Sequence, residues 1–213
     1  MRVTSGETLE IVGGTFNAEK GTFTLKDGQL ARAKLAEEAL SVDAIELTSL
    51  RSWDDLAALL PGTAASDDLA IIEGTYATDA PTIQTSDADS TTVTQRLRFR
   101  RSLGPEYVDA ASVTLRVRAG MVTTVSDTTA TVDVECYEDD GDGGISADLC
   151  ATAAMSINSV ATATDKDFVI TPTGLASGSV LDFRVTIAIT DGSTGAVVLG
   201  EITRIALLRD VKG

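Results

Sequence analysis

The chain has 213 residues, 43% of them hydrophobic, and carries 17 Lys+Arg against 32 Asp+Glu with no histidine, a formal charge of −15. That field repels phosphate backbones and anionic lipid, which excludes nucleic acid and membrane surfaces as expected partners. Without histidine, Ser-His-Asp and Cys-His catalysis and His-based metal sites are excluded too; no enzyme is expected, with a glycosidase using carboxylates distant in sequence as the alternative.

Residues 9–12 and 22–25 are short β-like runs separated by Gly13-Gly14 and Gly21, which suggests a small hairpin unable to stand alone. Over residues 29–42 the apolar positions Ala31, Leu35, Ala39 and Val42 recur at helical spacing. A stripe so short and alanine-rich is marginal in water, and it is expected to gain its burial from identical helices in an oligomer. Ser52 reads as the N-cap of a second short helix, with Asp54 and Asp55 in its first turn and Pro61-Gly62 at its end. Trp53 lies beside Leu56, Leu59 and Leu60 and is expected to be a packing anchor, with ligand stacking as the alternative.

Strands dominate from residue 66 onward. Runs over residues 69–72, 93–101, 112–118, 130–136, 167–171 and 180–190, and a last one reaching about residue 210, alternate apolar and polar residues between Gly and Pro turns. In the longest, Phe183, Val185, Ile187 and Ile189 face one side and Asp182, Arg184, Thr186 and Thr190 the other. The expected fold is mainly β: an antiparallel, jelly-roll-like sandwich over residues 66–213. It is preceded by an arm, residues 1–65, holding the hairpin and one or two short helices. The start of the chain has no basic region followed by an apolar run, so neither a signal peptide nor a membrane span is expected.

Two charged patterns are candidate sites. Glu138, Asp140 and Asp142, followed by Gly143, mimic the first half of a calcium loop. The twelfth position is Leu149 rather than a bidentate glutamate, so a solvated hairpin loop is the main reading and Ca²⁺ the alternative. Arg96, Arg98, Arg100 and Arg101, with Arg116 and Arg118, lie on two runs expected to pair. On one exposed face they make a positive strip for a protein neighbour, unless the chain's own carboxylates neutralise them. Cys136 and Cys150 bracket the acidic loop and are read as two buried thiols, with a hairpin-like disulfide as the alternative.

Several words carry a resemblance: AKLAEEAL at residues 33–40, LRSWDDLAALLPGT at 50–63, GMVTTVSDTTA at 120–130, ADLCATAA at 147–154, ITPTGL at 170–175 and LLRDVKG at 207–213. In these the chain resembles virion structural proteins of tailed bacteriophages, of head decoration (cement) or fibre-like type with a β-sandwich. The resemblance implies a homotrimer on the virion, with residues 31–42 around the threefold axis. It further implies that the arm binds the major capsid protein of the shell. Decoration is therefore the leading expectation for function. The alternative is a tail or head fibre component whose sandwich binds a host receptor or glycan; the low aromatic content, 4%, counts against it because sugar sites stack rings on aromatics.

Overall fold

Period-two burial governs the chain from Leu40 onward. A computed structural model describes residues 40–62, 64, 66–122, 129–192 and 197–212. They form ten strands: β1 (Leu40–Ile45), β2 (Ala70–Ile72), β3 (Thr82–Gln84), β4 (Thr92–Ser102), β5 (Val113–Met121), β6 (Thr129–Asp139), β7 (Met155–Ser156), β8 (Thr164–Ile170), β9 (Val180–Thr190) and β10 (Gly200–Asp210). The helical element among the described residues is a single 3₁₀ turn at Leu47–Ser49.

Two antiparallel sheets result. The first runs β2-β3-β10-β5-β8, with β1 also on β10; the second runs β4-β9-β6-β7. Inward residues of the second sheet, including Leu97, Phe99, Val132, Val134, Leu181, Phe183 and Val185, are buried together with Leu115, Val117, Phe168, Ile202, Ile205 and Leu207 of the first. Phe99 and Phe183 stack with ring centroids 5.1 Å apart. This is the mainly β antiparallel sandwich expected from the alternation.

The leading part departs from expectation. Val42, assigned to the oligomerisation helix, lies on strand β1, where it opposes Leu208 of β10. Pairing with β10 overrides the local helical spacing there. Ala31, Leu35 and Ala39, like the proposed hairpin, lie outside the described residues. Because Ile45, Leu50 and Leu59 enter the common core, the described part of the expected arm belongs to the sandwich. The second expected helix, opening at Ser52, does not form among the described residues. Ser52 Oγ bonds the Asp55 carboxylate and accepts from the Ala57 amide at 2.9 Å, while Leu56 takes φ +59°. Those local bonds close a turn instead of opening a helix, and Arg51 comes back to face Ala58.

Strands β4 and β5, expected to pair, lie in different sheets. Arg96, Arg98 and Arg100 therefore project from one face of the sandwich and Arg116 and Arg118 from the other, so the single positive strip is not formed.

Candidate functional site: the outer face of the second sheet

Register across β4, β9 and β6 fixes a grid of outward side chains. Arg96 aligns with Thr186 and Asp133, Arg98 with Arg184 and Glu135, and Arg100 with Asp182 and Tyr137. Diagonal and direct ion pairs knit the grid together. Arg98 donates from Nε to Asp182 Oδ1 at 2.8 Å and from Nη2 to Oδ2 at 2.5 Å. Arg184 pairs with Glu135, and Arg100 with Asp139. Asp182 is 8% exposed, and Arg98 is its nearest compensating charge. That bonding raises the affinity of the Arg98 guanidinium for its proton.

The edge of this sheet is extended by two loop segments. Arg51 exchanges backbone bonds with Arg98 at 3.0 and 2.9 Å, and the Arg96 amide donates to Asp67 O at 2.7 Å. These bonds deliver Trp53 above the grid. Its indole Nε1 donates to Asp67 Oδ2 at 2.7 Å and its backbone amide to Asp68 Oδ1 at 3.2 Å. The guanidinium carbons of Arg96 and Arg184 lie 5.2 and 5.6 Å from the ring centroid, within cation–π range. The indole bond holds the Asp67 carboxyl below its ordinary range, whereas burial, helped by Asp54, Asp67 and Asp55, pushes Asp68 up.

On the far side Tyr137 and Ile145 complete the wall of a shallow depression. Trp53, Arg98, Glu135, Tyr137, Ile145, Asp182 and Arg184 line its volume of about 220 Å³. Burial, then the charge of Glu135, pushes the Tyr137 hydroxyl up, so it is neutral at physiological pH and can both donate and accept. Two aromatic rings at the rim and alternating donors and acceptors on the floor suit a ligand with apolar C–H faces and hydroxyl edges.

The acidic loop serves this wall. Glu138 Oε1 accepts from Ser179 Oγ at 2.6 Å, while Asp140 Oδ1 accepts from the amides of Asp142 and Gly144 at 2.9 and 2.8 Å. Glu138, Asp140 and Asp142 thus do not converge, and no carboxylate cluster suited to a metal occurs among the described residues. The loop instead turns the chain so that Ile145 faces Asp139 across a β-bridge. Arg116 and Arg118, on the opposite face, pair with Asp167 and Asp165 at 2.7 and 3.1 Å. Cys136 and Cys150 are free thiols, and burial raises both.

Sequence reasoning named Trp53 but read it first as core, and it did not group Glu135, Tyr137, Asp182 and Arg184 into a site. Tyr137 offered a signal: it is an aromatic residue at an outward position of its strand, next to inward Cys136.

No protein-family model matches the chain, and no curated protein does. Among solved structures it is similar to a xylan-binding module, CBM15, with 10% identity and a TM-score of 0.44 over 82% of this chain and 100% of that one. A CBM22 xylan-binding domain from Paenibacillus barcinonensis Xyn10C gives 14% identity and a TM-score of 0.40 over 80% and 97% of the two chains. TmCBM61, solved with β-1,4-galactotriose, gives 7% identity and 0.40 over 80% and 88%. These three structures are carbohydrate-binding modules, not virion proteins, and of the residues meant to form a trimer helix Val42 lies on a strand paired with β10. The head-decoration expectation is corrected accordingly.

Proposed function

We propose that this chain is a non-catalytic glycan-binding module whose ligand sits on the outer face of the second sheet. The observation that carries the reading is the depression between Trp53 and Tyr137, floored by ion-paired arginines and carboxylates. Its volume, about 220 Å³, is below the ~300 Å³ typical of sites for drug-sized ligands and fits one sugar ring with its neighbours extending into solvent. Catalysis by a carboxylate pair finds no support here: Glu135 and Asp182 are both committed to arginines, leaving neither free as a proton donor or nucleophile. The resemblance to phage virion proteins adds a setting, a tail or head fibre component that binds a host glycan.

Trp53→Ala is the test. Calorimetric titration with a panel of neutral oligosaccharides is expected to give binding by the parent chain and a loss of at least about tenfold in the variant, since stacking aromatics dominate such sites. Its melting temperature is expected to fall only slightly, because Trp53 is half-buried at the rim. Undiminished binding by the variant, or no binding by the parent, would overturn the reading.

A further inference from the structure

We infer that the site selects uncharged sugars presenting a vicinal diol, and that Asp182 sets this selectivity; the inference rests on the glycan-binding reading above. The floor of the depression carries two arginines and two carboxylates, Arg98 with Asp182 and Arg184 with Glu135, which cancel. Beside them Arg96 lies against the Trp53 ring with Asp67 near it. The ligand therefore meets dipolar pairs with no surplus positive charge, on a molecule whose overall charge is −15.

A carboxylate-bearing sugar needs a guanidinium of its own. Taking Arg98 would strip its two bonds from Asp182, a nearly buried carboxylate with no other charge partner nearer than Arg100 Nε at 3.8 Å. Taking Arg184 would strand Glu135 in the same way. An uncompensated partly buried charge costs more than the new pair returns. A pair of adjacent hydroxyls makes no such demand. One hydroxyl donates to a free lone pair of the Asp182 or Glu135 carboxylate and its neighbour accepts from a guanidinium N–H, so each ion pair is bridged without being broken. Arg184 Nε has no hydrogen-bond partner, so that guanidinium keeps a donor uncommitted to Glu135.

The test compares β-1,4-galactotriose and xylotriose with the galacturonate trisaccharide by titration calorimetry, on the parent chain and on Asp182→Asn and Trp53→Ala. The parent is expected to bind a neutral trisaccharide at least about tenfold tighter than the acidic one, with little change between about 50 and 500 mM NaCl. Asp182→Asn keeps the side-chain shape but frees Arg98, and it is expected to gain about tenfold for the galacturonate in a salt-dependent manner. That gain cannot come from damage to the fold, and its loss on adding Trp53→Ala would place it in this depression. Tight, salt-sensitive binding of the acidic sugar by the parent would overturn the selectivity while leaving glycan binding standing. An unchanged preference in Asp182→Asn would overturn the role of Asp182. No binding of any trisaccharide by any of the proteins would overturn both readings.

Discussion

Trp53 and its two aspartates couple the rim of the depression to pH. Asp68 is pushed up by burial, so the folded chain takes up that proton at a higher pH than the unfolded chain, and acidification toward the ordinary carboxylate value favours the fold. Asp67 works in the opposite sense. The indole bond lowers it from the ordinary value of 3.8, so its stabilising effect is present above that value and is lost as pH falls through its depressed folded value. Trp53 is the sole tryptophan, which makes its fluorescence a direct readout. Its emission is expected to hold steady down to about pH 4 and to shift only below it; in Asp67→Ala, which removes the acceptor of the indole N–H, the shifted emission is expected at neutral pH. A midpoint above the ordinary carboxylate range would show that Asp67 does not hold the indole.

Strand β1 stands on a single pairing and is pinned by charge as well as by its ladder. Asp43 lies 3.2 Å from Arg209 of β10, a side chain only 6% exposed, and 4.0 Å from Arg101 of β4; Glu106 takes the other side of Arg209 at 2.5 Å. Asp43→Asn is expected to lower stability by about 1–2 kcal/mol in urea denaturation, since it leaves a buried guanidinium with half its compensation. If the helix expected over residues 29–42 ran up to Asp43 in place of strand β1, this substitution would have no such effect. The contrast shows what local pattern encodes. Strand β9 was legible because Phe183, Val185 and Ile187 alternate with polar neighbours over eleven residues, enough to fix both type and face. Strand β3 was not: Thr82–Gln84 is three residues in a Thr- and Ser-rich stretch, and its existence depends on β2 and β10 on either side. Alternation says which side chains point inward and nothing about which strand is the neighbour, so the arginines of β4 and β5 were wrongly placed together. The site was invisible for the same reason, because Glu135, Asp182 and Trp53 meet only through register between distant strands.

At the scale of the molecule, the net charge of −15 sets how the sandwich responds to its solution. The positive groups on both outer faces are largely matched to local carboxylates, Arg98 with Asp182 on one and Arg116 with Asp167 on the other, so the excess negative charge resides elsewhere and repels itself. Raising NaCl from about 20 to 200 mM shortens the screening length from roughly 20 Å to under 10 Å. The melting temperature is expected to rise by a few degrees over that range; a fall would mean that the ion-pair grid outweighs the repulsion.

The first sheet has a hub. Strands β1, β3 and β5 all bond to β10, so Leu40 finds its partner only in Asp210, far along the chain. Until those distant pairings form, the folding chain exposes unpaired strand edges and core leucines and valines. Folding of this sandwich is accordingly governed by distant pairings, the regime in which rates are slow and protection from aggregation matters most.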